Sequence, residues 1–419
     1  MKSFDEVELF FASRRKLGIK PGLERLDYLL EKTGHPEKKI KTIHVAGTNG
    51  KGSTITYMKE VLIKSGYNVG TFVSPGLPTI RNHMMINHEI ITEHLFIEIL
   101  NNLLPLIREM DELDMSPSEY EILMVITLHY FLDNTDIALV ETCMGGKDDV
   151  TNRVEPIVTV ITTVDYDHMG FLGDSLAEIA SHKAGIIKRN VPVVIGDLAE
   201  EARKVVLEKA KTETASVYQY KKDYQIKDWQ MNQGSQQFTF SYKRDSPVEI
   251  SMIGEHQVDN AANAMMAVQL LMEKGWSINR TALQKGFKQA MIDNRLQVIK
   301  YSPFTVIDGA HNVASIERLI ETSRIYWNER NIFILFSAFR DKEISKMTEL
   351  LEQISSKLVV TTFDHPRALS EGDLTNSLVF RKDYQAAYIE LLQQMDQEDV
   401  LLITGSLHFV EKVKEIIER

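Results

Sequence analysis

One cysteine, Cys143, occurs in 419 residues. That excludes a disulfide framework and a zinc site built from cysteines. No uninterrupted apolar run approaches the roughly 18 residues that a membrane-spanning helix needs. The first residues, Met1–Phe11, are acidic and lack the apolar segment of a secretory signal. Positive charge is in deficit: 48 Lys and Arg face 59 Asp and Glu, a net charge of −11. This argues against a general nucleic-acid binder, although a local basic cleft is compatible with it. Internal repeats and low-complexity segments are also missing. The expectation is a soluble, cytoplasmic protein with neither nucleic acid nor membrane as partner. A hydrophobic content of 43% supports full cores, and a chain of this length is expected to form two domains.

What is present is organised around Ile43–Thr54. An apolar run ends in small residues, turns Gly-rich, places Lys51 between Gly50 and Gly52, and continues into Ser53 and Thr54. Ile55, Met58, Val61 and Leu62 then recur at helical spacing. Strand, Gly-rich turn, Lys and hydroxyls, then helix is the order that holds a nucleotide phosphate. The glycines let backbone N–H groups face the phosphate oxygens. Lys51 would neutralise charge, and Ser53 or Thr54 would offer a hydroxyl to Mg²⁺. The standard Gly-x-x-x-x-Gly-Lys-Ser/Thr spacing is not met, because Val45 stands at the first glycine and Gly52 separates Lys51 from the hydroxyls.

Along the chain, helices are expected over 4–17, 23–30, 92–113, 117–132, 175–183, 260–273 and near 280–290. Short strands are expected at 42–46, 69–75, 136–141, 157–163 and 192–195. Residues 76–89, with Arg81, His83 and His88, read as a polar loop at the ligand-binding end of a parallel sheet. Glu141 ends a buried strand, as an acid that holds Mg²⁺ opposite a phosphate loop does. Asp165, Asp167 and His168 cluster at another strand end. From 216 to 253 alternating polarity predicts a small antiparallel meander. After a boundary near 295, strands at 304–307, 332–336, 357–361 and 400–403 alternate with helices. The fold class expected is therefore α/β: a domain over 1–295 with a mostly parallel sheet and a small antiparallel sheet, then a smaller α/β domain over 296–419.

The motif His44–Thr54 resembles the phosphate loop of the Mur ligase superfamily, and within it that of the folylpolyglutamate synthase/dihydrofolate synthase family. Gly18–Leu26, Glu141–Asn152, Asp167-His168, Lys183–Lys188, His256-Gln257 with Asn260, Asp308–Asn312 and Thr404–Leu407 match that family in order across nearly the whole chain. The resemblance implies an ATP-dependent amide ligase with a P-loop-type first domain and a Rossmann-like second domain. A folate or pteroate carboxylate would be phosphorylated by ATP, and the acyl phosphate attacked by the amine of L-glutamate. It implies that Thr48, Asn49, Gly50, Lys51, Gly52, Ser53 and Thr54 cradle the phosphates, with Lys51 catalytic. Ser53 and Glu141 would hold a first Mg²⁺. His168 and Lys183, the latter as a carbamate, would serve a second. Asn260 would contact adenine, Arg295 the phosphates and Asp308 the ribose, and His311 would complete the pocket. A monomer is expected.

The sequence departs from the family pattern where the acceptor would be read. Gly76 replaces the usual His, and Arg81-Asn82-His83 replaces Arg-Glu-Arg. Gly145-Gly146-Lys147 replaces Gly-Gly-Arg and is followed by Asp148, and Gln297 replaces an acid. Arg81, His83, Lys147, Asp148 and Thr151 are the acceptor-side candidates. A lysine at 147 offers a point charge rather than a fork, which weakens bidentate carboxylate recognition. A related ligase with a different acid or amine, and a non-catalytic nucleotide-binding protein, are the alternatives.

Overall fold

A computed structural model describes residues 1–18, 20–232, 234–374 and 378–418. Ile19, inside the signature at 18–26, lies outside the described residues. The large sheet is built from β1 (Thr42–Ala46), β2 (Val69–Phe72), β3 (Met84–Ile86), β4 (Glu89–Ile90), β5 (Ile137–Glu141), β6 (Pro156–Ile161), β7 (Val193–Ile195) and β8 (Val217–Gln219), in the order β4-β3-β2-β5-β1-β6-β7-β8. From β2 to β8 all neighbours are parallel, and β3 and β4 add an antiparallel edge. β1 is buried throughout and sits centrally, because Ile43 and Val45 face one side while the opposite side is also covered. Its C-terminal end points the phosphate turn out of the sheet.

Helix Lys51–Lys64 follows, with Gly50 at φ +84 as its N-cap. Two later helices hold it. Glu255–Glu273 is Ala-rich and buried along most of its length, and Arg280–Gln289 crosses so closely that a Cβ on Gly286 would lie 2.6 Å from the Val61 backbone. Helix Glu119–Phe131 starts from a reciprocal Ser118–Glu121 cap. The small antiparallel sheet comprises β9 (Gln225–Asn232), β10 (Ser235–Tyr242) and β11 (Arg244–Ile250). Phe238, Phe240, Val248 and Ile250 turn one face of it onto the core.

The second sheet contains β12 (Gln297–Tyr301), β13 (Phe304–Ile307), β14 (Ile332–Phe336), β15 (Lys357–Thr361), β16 (Val379–Arg381) and β17 (Val400–Thr404), in the order β12-β13-β17-β14-β15-β16. Only β12 runs antiparallel. Its helices cover both faces with separate apolar clusters, one around Ile334 and Phe336 and the other around Leu335 and Ile403.

The structure differs from the sequence expectation in several places, among them a helix at Glu200–Thr212 and the edge strand β12, neither of which is among the expected elements. Residues 76–89 are not a plain loop: a short 3₁₀ turn at Ile80–His83 leads into the β3–β4 hairpin. The meander begins at 225, because Val217–Gln219 pairs with β7 as the last strand of the large sheet. The long helix starts at Glu255 rather than 260. β16 is a further edge strand, short enough to leave no periodic signal. None of the described helices is long and apolar enough to cross a membrane.

Candidate active site

The Gly-rich turn at 47–54, Glu141 and His168 lie at or beyond the C-terminal ends of β1, β5 and β6, whereas Arg295 stands just before β12. The turn after β1 is pinned to the segment after β6: Thr48 N–H donates to Thr163 O (2.9 Å), Thr48 Oγ1 exchanges hydrogen bonds with the Asp165 backbone, and Asn49 N–H donates to Thr163 Oγ1 (3.0 Å). Gly50 is required twice over. Its φ of +84 is left-handed, and a Cβ there would lie 2.2 Å from Asn260 Oδ1. Asn260 is thus brought against the turn by its long helix. Lys51 Nζ donates back to Gly47 O (3.0 Å) and Thr48 O (3.2 Å) and stands 3.7 Å from Glu141 Oε1 at the end of β5. Ser53 and Thr54 are buried in the first helical turn, and the Thr54 hydroxyl has no hydrogen-bond partner among the described residues. Burial raises the Glu141 carboxyl above its ordinary range, with Lys51 working against that shift.

Behind Glu141, the Gly-rich loop packs on the helix Leu176–Ala184 that carries Lys183. A Cβ on Gly146 would lie 2.8 Å from His182 O, and one on Gly185 2.4 Å from the Lys147 Cα. Lys147 N–H also donates to His182 O (2.7 Å). Lys183 is 3% exposed, and its amine has no hydrogen-bond or ion-pair partner among the described residues. Burial, aided by the nearby Lys51 charge, lowers its pKa to about 7. His168, in a left-handed conformation (φ 52), is held close to neutral by burial, with its pKa lowered to about 4.

The second sheet contributes from the ends of β13 and β14. Asp308 accepts from Leu296 N–H (2.9 Å) and Ala310 N–H (2.8 Å), so both its oxygens serve the junction between the two sheets. Arg295 lies over Gly309, where a Cβ would meet its Nη1 at 2.4 Å. The His311 Nδ1–H donates to Gly309 O (2.8 Å), which leaves Nε2 facing Asp167 Oδ2 at 3.9 Å. Asn312 exchanges two side-chain hydrogen bonds with Asn49 (3.2 and 3.3 Å).

The acceptor-side candidates do not form one group. Lys147 and Asp148 are exposed on the loop, and Asp148 pairs with His182 (3.7 Å). Arg81 donates to Ile91 O and Glu93 and stacks on Phe4. His83 is buried: its ring stacks on Phe72, bonds Val73 O (2.7 Å), accepts from Gly76 N–H (3.3 Å), and fills the space a Cβ on Gly76 would need. The structure thus gives Arg81 and His83 the work of shaping their loop. Thr151, expected at the acceptor, is fully buried. Its hydroxyl donates to Asp149 Oδ1 (2.5 Å) and accepts from His44 Nε2 (2.8 Å), tying the Gly-rich loop to β1. A methyl-bearing hydroxyl in a polar loop gives no sequence sign of that burial.

Sequence reasoning missed Lys342. It forms a buried ion pair with Asp167 Oδ1, 175 positions away. The only signal was an isolated Asp-Lys after β14. Among the described residues no three carboxylate, imidazole or thiol side chains converge to chelate a metal alone. Glu141 and Ser53 still suit Mg²⁺, which takes one or two protein ligands and completes its shell from substrate phosphates and water.

Family models match in the same order as these elements: the Mur ligase middle domain over residues 45–268, and the Mur ligase glutamate ligase domain over 294–407. The dihydrofolate synthase/folylpolyglutamate synthase of Bacillus subtilis is 33% identical, with 99% of each chain covered. The structure of Mycobacterium tuberculosis folylpolyglutamate synthase complexed with ADP and AMPPCP superposes with a TM-score of 0.91 at 26% identity, covering 99% of this chain and 98% of that one. A folylpolyglutamate synthase–AMPPCP–folate complex gives a TM-score of 0.84 at 29% identity over 94% of both chains. A Gly-rich turn between β1 and its helix, an acid at the end of β5, a buried lysine on the helix Leu176–Ala184 and a second α/β sheet in contact with the turn agree with these matches, and the chain belongs to the folylpolyglutamate synthase/dihydrofolate synthase family of ATP-dependent Mur-type ligases.

Proposed function

We propose that the protein joins the amine of L-glutamate to the carboxylate of a pteroate or folate acceptor, using ATP. The observation that carries this reading is the pairing of Lys51 with Glu141 at the strand ends, with the helix residue Lys183 near enough to feel the Lys51 charge, and with His311 and Asn312 reaching in from the second sheet. A carboxylate is a poor electrophile: its charge repels an amine, and oxide does not leave. Transfer of the γ-phosphoryl group to a carboxylate oxygen removes both obstacles. The amine nitrogen then bonds to the acyl carbon, the C–O bond to phosphate breaks, and the nitrogen loses a proton.

The chain's own groups supply position and charge for these steps. The 48–54 turn directs N–H groups at the phosphates, and Lys51 follows the transferring group. Ser53 and Glu141 would hold Mg²⁺, which supplies charge screening during phosphoryl transfer. His168 and a carbamylated Lys183 would hold a second ion, the carbamate replacing a cation by an anionic oxygen donor. Asn260 borders the adenine side of the turn. Arg295, Asp308 and His311 bring the second domain to the nucleotide from a boundary at 295/296. Asp308 does so through the backbone it organises, consistent with a ribose contact from that loop. Lys147 and Asp148 are the exposed loop groups available to an acceptor. The reading is of a cytoplasmic monomer.

The test is ADP release with Mg-ATP, L-glutamate and either dihydropteroate, tetrahydrofolate or no acceptor, with products weighed by mass spectrometry. A gain of one glutamyl residue on either acceptor, coupled to ADP, is the expected result. ADP coupled to neither acceptor would refute the folate reading.

A further inference from the structure

Hydrogen bonds and ion pairs between the two halves, away from the connecting segment, converge on Asn49 and Asp167 on one side and His311, Asn312 and Lys342 on the other. Asp167 is the hub. Its Oδ1 takes Lys342 Nζ and also accepts its neighbour's N–H, that of His168 (2.9 Å). Its Oδ2 faces Asn312 Nδ2 (3.4 Å), His168 Nε2 (3.8 Å) and His311 Nε2 (3.9 Å). The side chains of both Asp167 and Lys342 are under one-tenth exposed (8% and 7%). Lys342 follows β14, and no other carboxylate pairs with it among the described residues.

A buried ion pair is poor value as a stabiliser, since desolvation offsets most of the attraction. It is directional, however, and this one fixes two separately cored bodies to each other. The same Asn312 that reaches Asp167 also holds Asn49 of the phosphate turn, so the position of the second domain and the shape of the turn are linked through adjacent contacts.

We propose that Asp167 and Lys342 are positioning residues that latch the second domain onto the phosphate turn, setting His311 and Asn312 in register with the bound nucleotide. The pair acts as one unit. It touches no reacting atom, and its effect on rate passes through domain placement. The consequence for rate rests on the ligase reading above; the consequence for domain placement does not.

Two measurements test it on the full chain. In a cycle of Asp167→Asn, Lys342→Met and the double variant, each single change is expected to lower kcat at least tenfold, and the double to be no worse than the poorer single. Losses that multiply in the double would show two independent roles and overturn the latch. Independently of turnover, spin labels on Glu208→Cys and Glu352→Cys in a Cys143→Ser background report the interdomain distance. With AMPPCP and Mg²⁺ the otherwise unchanged chain is expected to give a single narrow distribution. Lys342→Met should broaden it, and Lys342→Arg, which keeps the charge, should restore it. A distribution unaltered by Lys342→Met would overturn the proposal even if the ligase activity is as expected. An absence of ligase activity with a broadened distribution would leave the latch standing and remove the functional reading instead.

Discussion

Lowering the pH should switch off ligation through Lys183. Carbamate formation requires the neutral amine, whose nitrogen attacks CO₂ and releases a proton. With a pKa of about 7, about three-quarters of the molecules hold that amine at pH 7.5 and about a tenth at pH 6, whereas an ordinary lysine would hold about 0.1% at pH 7.5. The depressed value places the loss below neutrality: the neutral form predominates above about 7 and disappears as protons are added. From pH 7.5 to 6 the neutral fraction falls about eightfold, and the proton released in carbamate formation adds to that loss. The assay is twofold. ¹³C-bicarbonate NMR should show a protein carbamate resonance in the wild type that fades over this interval, and kcat at fixed CO₂ pressure should fall with it. Lys183→Ala should lack the resonance and lose about a hundredfold or more in kcat, with no rescue by bicarbonate. Lys183→Arg should behave likewise, since a guanidinium stays protonated. No labelled resonance in the wild type at saturating bicarbonate, or normal turnover in Lys183→Ala, would refute the reasoning.

Three further outcomes are expected. Lys51→Ala should abolish turnover while circular dichroism stays unchanged, because Lys51 holds only local carbonyls and Glu141; normal turnover would remove the phosphate-turn reading. Gly50→Ala combines a left-handed φ with a 2.2 Å clash on Asn260, and should raise KM for ATP at least ~10-fold, through loss of the turn's amide geometry; an unchanged nucleotide titration would count against it. Thr151→Val leaves Asp149 and His44 without their shared hydroxyl and should cost about 1–3 kcal/mol, read as a lower denaturant midpoint with an unchanged slope.

What could be read from sequence was whatever is local. Apolar strand, glycine, lysine and helix in Ile43–Leu62 follow one another without a break in the chain, and the structure places them as their pattern indicates. Glu141 was legible because an acid directly after four apolar strand residues is unusual. Val217–Gln219 and Val379–Arg381 were not recognised as sheet strands because three residues carry no period, and only pairing with a neighbour makes them so. For His83 no sequence pattern signals burial, which depends on Gly76, seven positions earlier, leaving space for its ring. Lys342 was invisible for a different reason: its meaning lies in Asp167, and no local pattern connects positions so far apart.

The placement of β1 at the centre of its sheet has a consequence during synthesis. Its partners β5 and β6 begin at residues 137 and 156, about 90 and 110 positions after β1 is complete. At translation rates of about 5–20 residues per second, the strand waits about 5–20 s for its first central neighbour. For that time Ile43, Val45 and Ala46 and both hydrogen-bonding edges of the strand are open to any other chain. The helix after the phosphate turn waits longer, since Gly286 closes over Val61 only when the first two-thirds of the protein exist. Ligand binding can therefore stabilise only the later stages of folding, after this helix is packed.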